Sequence, residues 1–113
     1  MKGFHLGEFE ELTLLMIGVL HDGAYGVAIQ DAILDQTGRS VKISAVHSVL
    51  HRMEKKGYVR SWMGGATKER GGRRKRFFEI TAAGKAALLQ RHAVRNRLWQ
   101  LASYPRRGSV LGP

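Results

Sequence analysis

The feature that most constrains this chain is a change of hydrophobic period at Gly57. Before that residue, apolar side chains recur at three- and four-residue steps in three successive segments, which is the spacing of one helical face. The predicted helices are Glu8 to Leu20, a segment from Tyr25 to a C-cap at Gly38, and a segment from an N-cap at Ser44 to Gly57. After Gly57 the pattern becomes that of strands, so the fold combines three helices with a β element.

Two short segments that follow the third helix predict a β-hairpin. Tyr58–Trp62 alternates large apolar and polar residues, and Arg76–Ile80 is the candidate partner strand. Residues 63–75 between them contain two Gly-Gly pairs and five basic residues, so the tip of the hairpin cannot belong to a core. Thr81 is then a suitable N-cap for a last helix that runs to about Ala102.

This order of elements is that of a winged helix-turn-helix, a mainly α fold with a small β-hairpin. With 113 residues, the chain has room for one such domain and little else. We expect the winged helix-turn-helix to occupy residues 1–81, a C-terminal dimerisation helix to occupy 82–102, and a disordered tail to occupy 103–113.

Charge is divided unevenly along the chain. The formal net charge is +10, yet the residues through Gly38 carry one basic and six acidic side chains, a net of −5. From Arg39 onward there are eighteen basic and three acidic side chains, a net of +15. This segregation indicates a polyanionic partner, and it favours nucleic acid over a membrane surface.

The third predicted helix separates apolar from polar residues. Its apolar side chains occupy one face, and the opposite face carries short or flexible hydrogen-bonding groups followed by cations. A helix that enters the major groove needs this layout, with base-reading groups near its N-terminus and phosphate-binding groups beyond. The alternative interpretation is an ordinary amphipathic surface helix. The predicted DNA contacts are Ser44, Ala45, His47, Ser48, His51, Arg52 and Lys55.

The hairpin concentrates positive charge at its tip. Six cations lie within the nine positions from Lys68 to Arg76, where they repel one another, so folding stability does not explain them. A phosphate backbone or a narrow minor groove does, and the glycines would let the main chain approach the DNA closely. A basic loop that only aids solubility is the alternative. The predicted contacts are Arg70, Gly72, Arg73, Arg74 and Lys75.

Four stretches of the sequence resemble the PadR-type transcriptional regulators. They are Leu6–Leu12, Ala24–Ile29, the third-helix segment Ala45–Gly57, and Glu69–Phe78 leading into Thr81–Gly84. The resemblance covers about residues 6 to 102. It implies an N-terminal winged helix, a C-terminal dimerisation helix and a cytoplasmic, usually repressing, DNA-binding role. The single helix after the wing is similar to the small branch of that family.

Two positions depart from the family's pattern. His47 stands where members commonly carry tyrosine, so the base that it would read stays open. Some small members bind flat aromatic ligands between tryptophans on their dimer helices, but that position lies nearer Arg95 in this chain. A ligand pocket around Trp99 is therefore not implied by the resemblance, and a small-molecule effector stays an open, unidentified partner.

The last predicted helix carries more apolar surface than a small winged domain can bury. We therefore expect a homodimer with a two-fold interface that sets the two third helices about one DNA turn, roughly 34 Å, apart. The expected interface residues are Phe9, Leu12, Leu88, Leu89, Leu98, Trp99 and Ala102.

Other classes of site and location are disfavoured. The chain has no cysteine, which excludes disulfides, thiolate zinc sites and a cysteine nucleophile. His47, His51 and Glu54 have a spacing that could hold a metal, but they share the predicted DNA face, so we expect no metal and no cofactor. No nucleophile, base and oxyanion donor assemble, so we expect no enzyme. Without a long apolar run or a secretory signal pattern, we expect a cytoplasmic protein with no membrane partner.

The leading hypothesis is a homodimeric, sequence-specific regulator that binds an inverted-repeat operator in double-stranded DNA, and the resemblance implies repression. Two alternatives stay open. A winged-helix module for protein interaction would be expected to carry apolar anchors on the third helix, which has Ser, His and Arg instead. Non-specific or structure-selective binding of nucleic acid would need only the basic wing.

Overall fold

The computed structural model describes residues 6–64 and 74–102 of the chain. The elements in chain order are α1 (Glu8–Leu20), a 3₁₀ turn (His21–Gly23), α2 (Gly26–Thr37), α3 (Ile43–Lys55), β1 (Val59–Met63), β2 (Arg76–Ile80) and α4 (Ala82–Leu101). The predicted fold class, mainly α with a small β-hairpin, is confirmed. The expected disordered tail, 103–113, lies outside the described residues.

The start of the third helix differs from the prediction. The N-cap of α3 is Lys42 rather than Ser44, and the carbonyl of Lys42 accepts the amides of Ala45 and Val46 at 3.0 and 3.2 Å. Ile43 is partly buried against the core. Because of this tertiary contact, the helix begins at Ile43, before the predicted N-cap Ser44. Ser44 is therefore free of the capping role and lies exposed in the first turn of α3.

Two other helix ends follow the predicted caps, whereas α3 ends at Lys55 with its C-cap at Lys56 rather than at Gly57. Gly38 ends α2 with a left-handed φ of 75°, which glycine adopts without steric cost, and its amide bonds to the carbonyl of Leu34. Thr81 precedes α4, and its hydroxyl accepts the amide of Gly84 at 3.1 Å. Tyr58, predicted to open the first strand, precedes β1, because its amide bonds to the carbonyl of Met53 at 2.9 Å.

The core lies between α1, α2, α3 and the inner face of the hairpin. Helix α1 is joined to it by Leu14 and Ile17, and the hairpin by Val59 and Phe78. Apolar burial of this kind is the main term that holds so small a domain together. The side chains of α2 and α3 that the core buries almost completely are Ile29, Ile33, Val46, Val49, Leu50 and Met53.

The hairpin is joined to the helical part at its base. Strands β1 and β2 pair antiparallel, with Trp62 opposite Phe77. On the other side of β2, Tyr25 forms an isolated bridge with Phe77, and the amide of Phe78 bonds to the carbonyl of Ala24 at 2.9 Å. The wing is thereby fixed to the segment that leads into α2.

Helix α4 packs on the domain only through its first half. Gly84 and Ala87 are buried, and a methyl group at position 84 would overlap the carbonyl oxygen of Tyr58, so this close approach requires glycine. Residues 92–102 are all exposed. The second half of α4 thus projects beyond its own domain.

Candidate nucleic-acid interface

The outer face of α3 is an uncovered polar surface. Val46, Val49, Leu50 and Met53 of α3 are buried almost completely, so the helix is fixed with its polar side outward. This arrangement presents to solvent the groups that the sequence predicts as DNA contacts. All seven of them are exposed: Ser44, Ala45, His47, Ser48, His51, Arg52 and Lys55.

A groove of about 830 Å³ separates α3 from the wing. Its floor is apolar, with Leu50 and Phe78, and its rim combines imidazoles of α3 with cations of the wing. The groove is therefore bordered on one side by His47 and His51, which are predicted DNA contacts of α3, and on the other by Arg74 and Lys75, which are predicted DNA contacts of the wing. The lining residues are Tyr25, Gly26, Val27, His47, Leu50, His51, Glu54, Arg74, Lys75, Arg76 and Phe78.

Two predicted wing cations are held in defined positions. The ammonium of Lys75 lies 4.9 Å from the centroid of the Tyr25 ring, and the ring packs edge-on against Phe77. The Nε of Arg74 donates to the carbonyl of Gly64 at 3.1 Å. These contacts place positive charge at the entrance of the groove. The remaining predicted wing contacts, Arg70, Gly72 and Arg73, lie outside the described residues.

A hydrogen-bonded relay joins α3 to both strands of the wing. The hydroxyl of Ser61 donates to Oε2 of Glu54 at 2.7 Å and accepts from Nη1 of Arg76 at 2.9 Å. The relay offsets the negative charge of Glu54, which would otherwise repel a phosphate backbone. Sequence reasoning missed Ser61 and Glu54 as a pair, because their contact depends on the packing of β1 against α3.

His47 packs against the start of α2. A methyl group built on Gly26 would lie 2.8 Å from Nε2 of His47, so the absence of a side chain at position 26 makes room for the ring. The sequence around Tyr25 and Gly26 has no pattern that predicts this contact. The imidazole is thus held between two helices while it remains exposed to the groove.

Arg52 has a second role besides facing solvent. Its Nε donates to Oε2 of Glu10 on α1 at 3.1 Å, while 53% of its side chain stays exposed. The ammonium of Lys56 lies 2.9 Å from the same carboxylate oxygen. Burial raises the pKa of Glu10, but hydrogen bonds from the Gly7 amide, Lys56 and Arg52 outweigh it and hold the pKa below its ordinary value.

The residues weighed as metal ligands do not form a metal site. Within the ranges 6–64 and 74–102, no three His, Asp or Glu side chains gather closely enough to hold an ion. His47 and His51 instead line the groove with Glu54, whose carboxylate accepts from Ser61. The arrangement suits hydrogen bonding to a polar ligand better than metal coordination.

The predicted dimer residues fall into two groups. Phe9, Leu12 and Leu88 are partly buried against their own core. On the outer part of α4, Leu89, Leu98 and Trp99 expose 58%, 54% and 66% of their surface, and Ala102 is exposed as well. Of the two groups, the second is the one whose side chains are exposed.

The sequence itself matches one family. The model of the transcriptional regulator PadR-like family matches residues 16–90, which run from α1 into α4. The chain belongs to the PadR-like family. This membership confirms the resemblance found in the sequence, and it agrees with the expectation that the chain is a regulator and no enzyme. No curated protein matches the chain at a significant level.

Solved structures of transcriptional regulators share the fold. A transcriptional regulator from Clostridium thermocellum is 24% identical, with a TM-score of 0.66 over 81% of this chain and 86% of that one. A PadR-like regulator from Bacillus cereus is 17% identical, with a TM-score of 0.67 over 82% and 85%. Bacillus subtilis PadR, solved in complex with operator DNA, is 18% identical, with a TM-score of 0.58 over 93% and 53%.

The PadR-like fold in this chain contains no membrane-spanning element among the described residues. None of the helices there combines the length and the hydrophobicity that crossing a bilayer requires. Even α4, the longest helix, alternates its apolar residues with charged ones such as Arg91, Arg95 and Arg97.

Proposed function

We propose that this PadR-like protein is a homodimeric repressor that binds an inverted-repeat operator in double-stranded DNA. The observation that carries the proposal is the groove between α3 and the wing, where exposed imidazoles of α3 face Arg74 and Lys75. Helix α3 would enter the major groove, and the wing would contact the adjacent backbone or minor groove. A cytoplasmic location, where such a protein meets DNA, belongs to the same proposal.

The chemistry of this surface supports DNA more than a protein partner. Protein interfaces are enriched in aromatic and apolar anchors at their centre. The outer face of α3 instead offers hydroxyl and imidazole groups, such as Ser48 and His51, followed by the cation Lys55. Bacillus subtilis PadR, which has the same fold, was solved with operator DNA. Hydrogen-bonding groups near the start of α3 suit base edges, and the cations suit phosphates.

The outer half of α4 supports a two-fold dimer. Val94, Leu98, Trp99 and Leu101 are exposed large apolar residues on this segment, and Leu89 is exposed just before it. Exposed apolar side chains gathered on one segment indicate an interaction site. A second copy of α4 is the occupant that also places two α3 helices on one DNA molecule, as an inverted repeat requires.

Selection of binding sites from random duplexes tests the proposal. We expect the recovered sequences to contain an inverted repeat with half-site centres about one helical turn, roughly 34 Å, apart. Recovery of a single half-site would contradict the dimer, and recovery of no common sequence would favour the non-specific alternative. Transcription from a promoter that carries the recovered site, with and without the protein, decides between repression and activation.

A further inference from the structure

The first turn of α1 forms ion pairs with several other parts of the fold. It carries three carboxylates, and each of them holds a cation from a different part of the fold. Sequence analysis predicts no such role for these residues, since acidic side chains are common near a helix N-terminus. The ion pairs are Glu8 with Arg39 at 2.8 Å, Glu10 with Arg52 at 3.1 Å and Lys56 at 2.9 Å, and Glu11 with Arg91 at 2.6 Å.

Arg91 is the last described residue of α4 that is not exposed, and it attaches the helix to its own domain. Its Nε donates to Oε1 of Glu11 at 2.6 Å, and its Nη1 donates to the carbonyl of Leu6 at 2.7 Å. Only 21% of the Arg91 side chain is exposed, whereas every described residue beyond it is exposed. We call this pair of hydrogen bonds the Arg91 latch.

The latch adds to the contacts that orient α4 on the domain. The helix touches the domain at Gly84, where it approaches the carbonyl of Tyr58, then along Ala87 and Leu88, and then at Arg91, about 10 Å beyond Gly84 along the axis. Because Arg91 lies farther along the axis than these apolar contacts, its two hydrogen bonds oppose a tilt of the helix about them. Glu10, beside Glu11 in the same turn of α1, holds Arg52 of α3. The first turn of α1 therefore holds a side chain of α3 and a side chain of α4.

We propose that the Arg91 latch sets the distance between the two operator half-sites that the dimer accepts. The proposal rests on the proposed function, in which the outer part of α4 joins two copies. From Arg91 to Leu101 the helix extends about 15 Å. A tilt of about 10° over that length moves its end by about 2.6 Å, against a rise of about 3.4 Å per base pair. A tilt of this size thus moves the end of α4 by a distance close to one base-pair step.

The test uses inverted repeats with identical half-sites and spacers varied by one base pair. We expect the full-length protein to prefer one spacer over its neighbours by about fivefold or more. Arg91→Gln and Glu11→Gln each remove the ion pair, and we expect them to flatten or shift this preference. Arg91→Lys keeps the positive charge but cannot make both hydrogen bonds. Its spacer preference is therefore expected to lie between those of the wild type and Arg91→Gln. Glu8→Gln removes the same charge from the same turn without touching α4, and it is the matched control.

The outcomes separate the latch from a general loss of folding. A destabilised protein loses affinity for all spacers in proportion, and this result in both Arg91 variants would overturn the proposal. An unchanged spacer preference in Arg91→Gln and Glu11→Gln would also overturn it, while leaving the proposed function intact. If the wild-type protein shows no preferred spacer, both the latch proposal and the proposed function are overturned. Thermal unfolding of each variant, measured alongside, confirms that the compared proteins are folded.

Discussion

Gly26 and His47 are in contact, and the absence of a side chain at Gly26 leaves room for the imidazole. A methyl group at position 26 would lie 2.8 Å from Nε2 of His47. Because the neighbour is the end of a flexible side chain, Gly26→Ala is expected to move His47 without unfolding the domain. We expect a loss on the order of 1–3 kcal/mol for the selected operator if His47 reads a base, and little change on random duplex.

A double-mutant cycle isolates this contact. In a His47→Ala background, Gly26→Ala is expected to have no further effect on operator binding. Gly23→Ala is the matched control, since nothing lies within 4 Å of a methyl group at that position. Additive losses in the cycle would show that Gly26 acts on DNA binding independently of His47.

The wing is expected to supply affinity that does not depend on sequence. Replacing Arg74 and Lys75 with alanine removes up to two phosphate contacts, so the slope of log K against log[salt] is expected to flatten by as much as about 1.8 units. The change is expected on operator and random duplex alike. Lys85→Ala removes an exposed cation of α4 that does not line the groove, and it is expected to leave the slope unchanged.

Glu10 is expected to make the fold sensitive to acid. Its pKa is lowered in the folded chain from an ordinary value of 4.5, so its stabilising contribution is complete above that pH. The contribution is lost as pH falls through the lower folded pKa. Glu10→Gln is therefore expected to show a flatter dependence of unfolding free energy on pH below about 5.

At neutral pH, Glu10→Gln tests how much the ion pairs of Glu10 contribute to the free energy of unfolding. We expect Glu10→Gln to cost on the order of 1–2 kcal/mol, less than a fully buried pair because 53% of the Arg52 side chain is exposed. Urea unfolding across pH measures both effects. Glu8→Gln, with a carboxylate that is 63% exposed, is expected to change little. Equal effects of the two variants would contradict the special role of Glu10.

Two glycines are expected to respond to alanine in opposite ways. At Gly84, a methyl group would overlap the backbone of Tyr58 and lie 2.9 Å from Cγ2 of Ile80, so Gly84→Ala is expected to cost about 1–3 kcal/mol. At Gly18, within α1, a methyl group would meet only Cδ1 of Ile80 at 3.8 Å. Gly18→Ala is therefore expected to stabilise the domain by about 0.5–1 kcal/mol. Thermal unfolding compares the two.

The exposed apolar residues of α4 are expected to form the dimer seam. Leu89 and Leu98 expose 58% and 54% of their surface, so changing both to aspartate places charge in the seam without disturbing the domain's own core. We expect a folded monomer by sedimentation and light scattering. The variant with Gln90 and Gln100 changed to aspartate adds the same charge at exposed polar positions and is the control. A folded dimer in the leucine variant would place the interface elsewhere.

The bounds of several elements could be predicted because they depend on local patterns. The predicted spans Glu8–Leu20 and Arg76–Ile80 agree with α1 and β2 residue for residue. The apolar period and the flanking residues are enough to define both. Ser44 was the wrong N-cap because the burial of Ile43, a contact with the rest of the fold, starts α3 earlier.

The contacts that organise the candidate site could not be predicted in this way. Glu10 and Arg52 are 42 positions apart, and Glu11 and Arg91 are 80 apart. Hydrophobic period shows which face of a helix is buried, but it does not show which charges on two helices meet. The sequence therefore predicted α3 and the wing as DNA-binding elements, while the ionic connections between α1, α3 and α4 required the folded structure.

The uncovered outer half of α4 makes the protein's own abundance part of its regulation. If two copies must cover each other's α4 before both half-sites can be held, chains that are scarce stay single and bind weakly. Operator occupancy then rises with the square of the chain concentration until pairing saturates. A cell that makes twice as much of this protein would obtain up to about four times the occupancy at low levels, so the response sharpens without any ligand.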